Sequence, residues 1–203
     1  MVLTLKRNIC KKCLRPQVVC FCHTITSIVN CWPVHIIQHY KEKNHSIGTA
    51  RIAQLSLNDC KTYLSNNSLH NDNLVELINF CEPLLVYPGE ESINIEEIDS
   101  QQIRPLIFLD GSWRKTRRLI YENPYLNSIP KISFTRENLP RYRIRKAPNE
   151  NAYSTLEAIA TVLATLENDD KKYQPLLNSM DWMIDKQIEF MRENVYENNY
   201  LKK

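Results

Sequence analysis

The sequence is poor in glycine, with three in 203 residues. Average usage of about 7% would give roughly fourteen in a chain of this length. Gly48 lies at the start of a predicted helix, whereas Gly89 and Gly111 each follow a predicted strand. Open α/β sheets bind ligands beyond the carboxyl ends of their strands, so we interpret Gly89 and Gly111 as candidate ligand loops. Ordinary turns that need glycine are the alternative.

Several other signals are missing. The sequence contains neither a phosphate-cradling P-loop nor a dinucleotide-binding glycine fingerprint, so nothing supports a nucleoside triphosphate site. No uninterrupted apolar run approaches the ~20 residues that span a bilayer. The opening "MVLTLKRNICKKC" lacks the long apolar core and small-residue cleavage site of a secretory signal. We therefore expect a cytoplasmic protein without a membrane partner.

Charge is informative by its distribution. The net charge is only +3, which argues weakly for a polyanionic partner. Cations concentrate in 104–118 and 136–148, while acids gather near 90–99 and towards the C-terminus. The two basic stretches together would form a phosphate-facing surface. The alternative is two solvated faces on opposite sides of the molecule.

Hydrophobic patterning predicts strands that alternate with helices. We predict strands over 33–40, 81–90, 104–111 and 131–134, and helices over 47–57, 112–122, 153–167 and about 174–195. The alternation indicates an α/β layered fold with a largely parallel sheet flanked by helices. The last helix carries one apolar face, which we assign to core packing, at Met180, Ile184, Ile188, Met191 and Val195.

A cluster of four cysteines lies near the N-terminus. "CKKCLRPQVVCFC" places Cys10, Cys13, Cys20 and Cys22 within thirteen positions. In a reducing compartment such spacing favours tetrahedral Zn²⁺ over disulfides, and a site of four thiolates is structural. Four unrelated buried thiols are the alternative, and the adjacent His23 is a possible substitute ligand. We predict a zinc knuckle over 1–30 and a second domain over 31–203.

A carboxylate ends the third predicted strand. Asp110 follows the apolar run 105–109 directly and precedes a helix, so its plainest role is a helix cap, which Ser112 would also supply. "STLE", residues 154–157, has the form of a capping box before an apolar run. Residue chemistry alone favours structural caps at both places.

Taken together, these motifs resemble a known family. "LDGSW", "RYRIRKAP" with "STLEA", "YPGE" and the spaced cysteines look like the DTW-domain proteins, the tRNA-uridine aminocarboxypropyltransferases. The likeness runs through nearly the whole chain, in order, with Ser112 where the family motif has threonine. It implies a SPOUT-like fold, knotted in the C-terminal part of its sheet. It also implies S-adenosylmethionine as donor and transfer of its 3-amino-3-carboxypropyl group to N3 of a tRNA uridine, typically position 47 of the variable loop, with release of methylthioadenosine.

The resemblance also implies roles for individual residues. The catalytic group would be Asp110, Ser112 and Trp113, with Asp110 either orienting the uridine or acting as general base. Trp113 as a core residue is the alternative. Ser154, Thr155 and the amide end of their helix would hold the donor's carboxylate, because helix N-termini attract anions. The donor-binding set is Tyr87, Pro88, Gly89, Glu90, Leu109, Gly111, Ser154, Thr155 and Glu157.

tRNA is the expected partner, and the sequence indicates no obligatory protein partner. Trp113 and Tyr142 are candidates to stack on an extruded base. The phosphate-contacting set is Arg114, Lys115, Arg117, Arg118, Arg141, Arg143, Arg145 and Lys146, joined by His45 and Arg51 near Gly48. Two other functions stay open. A knotted RNA methyltransferase would release S-adenosylhomocysteine, and a zinc-containing RNA-binding module would leave nucleoside mass unchanged.

Overall fold

The computed structural model describes residues 8–43, 45, 48–65, 72–135, 141–143 and 153–191. Within these residues the chain forms six β-strands and five α-helices. The strands are β1 (Val34–His39), β2 (Cys60–Ser65), β3 (Leu84–Val86), β4 (Ile93–Asn94), β5 (Leu106–Asp110) and β6 (Lys131–Ser133). The helices are α1 (Ala50–Ser56), α2 (Asp72–Phe80), α3 (Trp113–Glu122), α4 (Thr155–Glu167) and α5 (Gln174–Glu189).

All six strands belong to one parallel sheet, in the order β2-β1-β5-β3-β6-β4. The central strand β5, "LIFLD", is buried along its whole length. Its apolar residues follow one another without alternation because helices cover both faces of the sheet. In a parallel sheet every strand delivers its carboxyl end to the same edge. The residues that follow β1, β3, β5 and β6 are therefore neighbours in space.

The sheet separates two apolar cores. Ile36 and Phe108 point to the face covered by α1, α4 and α5, whereas Ile37 and Ile107 point to the opposite face. Alternate residues along each strand supply opposite faces, as the pleat requires. Burial of each such side chain stabilises the folded protein by about 1.5–3 kcal/mol. The well-packed sheet is therefore a rigid support for a site at its edge.

The predicted α/β class and parallel sheet are confirmed. The four predicted strands form with narrower bounds. Met180 and Ile184 are buried on α5, as its apolar face predicted, but the described helix ends at Glu189. Val195 lies outside the described residues.

The sequence patterns do not predict three of the elements, namely β2, β4 and α2. β2 is an edge strand whose polar residues alternate irregularly with buried ones, and β4 has only two residues. The implied knot and the division at residue 30 stay predictions. No helix among the described residues is both long and apolar enough to cross a membrane.

Candidate active site at the carboxyl edge of the sheet

Asp110 ends β5, and two other elements fix its carboxylate. Thr155 donates from Oγ1 to Asp110 Oδ1 across 2.6 Å, and Gln38 donates from Nε2 to Oδ2 across 2.8 Å. Gln38 lies opposite Asp110 in the β1–β5 register, and Thr155 is the first residue of α4. Asp110 is only 7% exposed. Hydrogen bonds to a carboxylate are among the stronger ones in proteins, so its orientation is well defined.

A cavity of about 570 Å³ opens beside this carboxylate, at the ends of β3, β5 and β6 and the start of α4. Its volume falls within the range of small-molecule sites. Tyr87 and Trp113 face each other in it edge to face, with ring centroids 6.0 Å apart. The other lining residues are mostly apolar: Val86, Pro88, Phe108, Leu109, Ile132, Phe134, Tyr153 and Ala158, with Gly111, Thr116, Ser133, Thr135, Ser154 and Thr155. We call this space the apolar cavity.

A second space of about 240 Å³ adjoins the first and is lined by charged side chains. Its lining includes Asp110 and a half-buried ion pair in which Lys115 Nζ lies 2.5 Å from Glu42 Oε1. The remaining residues are His45, Gly48, Thr49, Gly111, Ser112, Tyr142, Ser154 and Thr155. We call this space the polar cavity. Gly111, Ser154 and Thr155 line both cavities, so the two spaces lie side by side.

Gly111 has a structural reason to be glycine. A Cβ added there would lie 3.0 Å from the Cβ of Lys115 and 3.7 Å from that of His39. The missing side chain lets α3 approach β5 closely, which brings Lys115 over the polar cavity. At Gly89, by contrast, an added Cβ meets no described atom within 4 Å. Gly89 and Glu90 are exposed in the turn after β3, at the rim of the site.

The predicted capping box at α4 is present. Ser154 Oγ accepts from the amide of Glu157 across 3.3 Å, and Glu157 Oε2 accepts from the amide of Ser154 across 2.8 Å. Glu157 is 3% exposed, and its Oε1 accepts from the amide of Arg141 across 2.7 Å. Ser154 donates its hydroxyl proton towards Met180 Sδ, 3.5 Å away. Glu157 thus fixes the backbone behind the site. Ser112 is the N-cap residue of α3, without a side-chain capping bond among the described residues.

The four cysteines come together. All four Sγ atoms lie within 4.8 Å of one another, with Cys10–Cys22 at 3.7 Å and Cys13–Cys20 at 3.6 Å. A tetrahedral zinc site with Zn–S bonds of about 2.3 Å requires sulfur separations near 3.8 Å, so the geometry fits.

The chemistry of these thiols also suits a cation. Hydrogen bonds from the backbone amides of Cys13 and Lys12 lower the pKa of Cys10 to about 6. Burial raises the pKa of Cys22 to about 12, and a bound cation would favour its thiolate form. His23 packs edge to face against Trp182, with ring centroids 4.5 Å apart.

Arg15 joins the cysteine cluster to the polar cavity. Its side chain is 8% exposed. Nη1 donates to the carbonyl of His45 across 2.7 Å, and Nη2 donates to that of Gly48 across 2.9 Å. Both carbonyls belong to residues that line the polar cavity. On the same side, Arg51 Nε donates to the carbonyl of Lys12 across 3.1 Å. The folded cluster therefore supports one wall of the site.

The basic residues of α3 divide into two groups. Arg114, Arg117 and Arg118 are exposed on one helix face with Tyr121, which is 86% exposed. Arg118 pairs with Glu122 one turn along. Lys115 lies on another side of the helix, in the polar cavity. A contiguous positive face suited to phosphates thus exists on α3 without Lys115.

The second basic stretch packs against α5. Arg141 pairs with Asp181, and Arg143 pairs with Asp185. Tyr142 is buried in the lining of the polar cavity, so its ring is not displayed for stacking. Arg145 and Lys146 lie outside the described residues.

Sequence reasoning missed several residues that line the site. Gln38, Glu42 and Phe134 each contribute, together with Arg15 behind them. Gln38 lies near the carboxyl end of the predicted strand 33–40, and that end was expected at the binding edge, so the position of Gln38 was available as a signal. Glu42 belongs to the loop after that strand. Nothing in the spacing of Arg15 indicated its two carbonyl partners.

The fold and site define an α/β protein with two adjoining cavities at the carboxyl edge of a parallel sheet and a cluster of four cysteines whose geometry suits a metal ion. The family model of the DTW domain matches residues 7–188, and the chain belongs to this family. A tRNA-uridine aminocarboxypropyltransferase 2 of Drosophila melanogaster is 30% identical over 194 residues, covering 91% of this chain and 76% of the relative.

Two further relatives carry the same name. The proteins of Macaca fascicularis and Mus musculus are each 28% identical, and this chain spans 65% of their length. No solved structure matches the chain.

Proposed function

We propose that this protein transfers the 3-amino-3-carboxypropyl group of S-adenosylmethionine to N3 of a tRNA uridine, with position 47 of the variable loop as the first site to examine. Membership of the DTW family and the names of the relatives support this assignment. The observation that carries it is the division of the site into an apolar cavity and a polar cavity, joined at Gly111, Ser154 and Thr155.

The two cavities match the two ends of the donor. Adenosine suits the apolar cavity, where Phe108, Leu109 and Ile132 offer apolar contact. The amino-acid arm suits the polar cavity. The sulfonium then lies near Gly111 and Thr155, where the cavities meet. This placement holds the methyl group and the adenosine away from the acceptor and presents the γ-carbon of the arm, which selects among three electrophilic carbons.

The reaction is a substitution at that γ-carbon. A bond forms between uridine N3 and the γ-carbon while the bond from the γ-carbon to sulfur breaks. The electron pair of the broken bond goes to sulfur, which becomes the neutral thioether of methylthioadenosine. The proton of N3 leaves to solvent.

Asp110 is placed to orient the acceptor base. Thr155 and Gln38 already donate to its two oxygens, so the carboxylate is held as an acceptor at the wall of the polar cavity. The N3–H of uridine would donate a hydrogen bond to this carboxylate. A fixed acceptor lowers the entropic cost of alignment, which is a large part of what positioning achieves in bimolecular reactions.

The tRNA would approach over α3. Arg114, Arg117 and Arg118 give a positive face that begins directly after the site. Trp113 and Tyr87 line the apolar cavity, where their rings would offer aromatic surface to the adenine of the donor. Zn²⁺ held by the four cysteines would stabilise the fold and the wall that Arg15 supports.

Nucleoside mass spectrometry tests this proposal. Purified protein is incubated with unmodified tRNA transcript and S-adenosylmethionine, and both the tRNA nucleosides and the small-molecule product are measured. We expect 3-amino-3-carboxypropyluridine together with methylthioadenosine. Methylated nucleoside with S-adenosylhomocysteine would assign a methyltransferase instead, and tRNA retained without any mass change would assign a binding module.

A further inference from the structure

The Glu42–Lys115 ion pair has no evident value as a stabilising contact. Its side chains are 12% and 24% exposed, and the pair lines a cavity beside a third charge, Asp110. Half-buried ion pairs contribute little net stability, because the cost of desolvating both charges offsets their attraction. Yet Gly111 keeps α3 close enough to β5 to hold Lys115 there. The arrangement suits recognition of a ligand.

The two hydroxyl groups at the start of α4 do not offer a hydrogen bond to the carboxylate of the donor. Thr155 gives its hydroxyl proton to Asp110, and Ser154 directs its own towards Met180. Neither proton remains for a ligand carboxylate. Lys115 is the ammonium group in the described lining of the polar cavity, and Glu42 lies directly beside it.

We propose that Glu42 and Lys115 bind the zwitterionic end of the donor, with Glu42 receiving its ammonium group and Lys115 its carboxylate. This inference rests on the proposed function and names the residues that select a donor with an intact amino-acid arm. The pair holds each side chain in place before the ligand arrives. Binding then converts two opposite charges into an alternating set of four.

Transfer removes from the donor the two groups that Glu42 and Lys115 would bind. The donor carries a sulfonium, an ammonium and a carboxylate. Methylthioadenosine has lost both the arm and the sulfonium charge. The same residues thus retain the donor and release the product.

Calorimetric titration with two nucleosides tests the inference. S-adenosylhomocysteine keeps the amino-acid end, whereas methylthioadenosine lacks it, and both contain the adenosine. The variants are Glu42→Gln, Lys115→Met and the double variant, which leaves neither charge alone. Lys186→Met is the matched control, because it breaks an ion pair with Glu189 that lies outside both cavities. Melting temperatures verify that each variant folds.

We expect about 10- to 100-fold weaker binding of S-adenosylhomocysteine in the three cavity variants, the loss typical of a charged hydrogen bond. Their affinity for methylthioadenosine should equal that of the unaltered protein. The control Lys186→Met should bind both nucleosides as tightly as the unaltered protein does. Equal losses for both nucleosides, or no loss for either, would overturn the inference while leaving the proposed function standing. An unaltered protein that binds neither nucleoside would reject the donor class itself, and the inference with it.

Discussion

Thr155 donates a hydrogen bond from Oγ1 to Asp110 Oδ1 across 2.6 Å, which ties the first residue of α4 to the last residue of β5. The two residues are 45 positions apart in the sequence. The contact uses the only hydroxyl proton of Thr155, so the carboxylate orientation and the start of α4 depend on each other. Residues from two separate motifs therefore act as one unit.

The variant Thr155→Val should slow transfer while the protein stays folded. Valine keeps the shape of threonine but removes the donor to Asp110, and a hydrogen bond to a charged group contributes about 1.5–3 kcal/mol. Single-turnover rates at saturating donor should fall about tenfold or more. Thr155→Ser keeps the hydroxyl and is the control. Equal rates for the two variants would show that this contact does not orient the carboxylate.

The variant Asp110→Asn should abolish transfer and leave donor binding largely intact. The amide keeps the size of the side chain but replaces one acceptor oxygen with a donor, which opposes either Thr155 or Gln38, and it removes the negative charge that would attract the uridine N3–H. Transfer is measured by nucleoside mass spectrometry, and donor binding by calorimetry. Unimpaired turnover would remove Asp110 from the mechanism.

The pair Gly111→Ala and Gly89→Ala separates close packing from turn formation. The new Cβ at 111 would meet the Cβ of Lys115 at 3.0 Å, so α3 must shift, with an expected loss of about 1–3 kcal/mol. The Cβ at 89 meets no described atom within 4 Å, so its free energy of unfolding should change by less than about 0.5 kcal/mol. Urea denaturation measures both. Equal losses would contradict the close approach of α3 to β5.

Loss of the metal should disturb the polar cavity, because Arg15 connects the cysteine cluster to the wall of that cavity. The variant Cys13→Ser should lose zinc, as measured by elemental analysis, and should lower the melting temperature, because structural zinc contributes folding free energy. In Arg15→Gln the zinc content should persist, while binding of S-adenosylhomocysteine weakens through the carbonyls of His45 and Gly48. Unchanged affinity in Arg15→Gln would show that these two bonds do not support the cavity.

The sequence predicts the fold class well because the signals are local. "PLIFLD" is a continuous apolar run bounded by a proline and a glycine, and "STLEAIATVLATLE" combines a capping box with an apolar face. Both predict their elements without knowledge of the rest of the chain. β2 lacks such a signal, because an edge strand is held by one neighbour and tolerates polar residues.

The site is less predictable, because it is made of long-range contacts. Asp110 is recognisable at the end of its strand, but Gln38 reaches it only through the β1–β5 register, and Lys115 meets Glu42 only once α3 has docked. Sequence reasoning therefore grouped Lys115 with the arginines around it. The separation of Lys115 from the exposed face follows from helix geometry together with the close packing at Gly111.

A donor labelled at one carbon at a time tests the central claim most directly. S-adenosylmethionine carrying the label in its carboxyl carbon, or in its methyl carbon, is supplied with tRNA transcript to the unaltered protein. With the carboxyl-labelled donor, the label should enter the tRNA. With the methyl-labelled donor, the label should stay in methylthioadenosine. Label entering tRNA from the methyl carbon alone, or from neither, would contradict the assignment of this site to aminocarboxypropyl transfer.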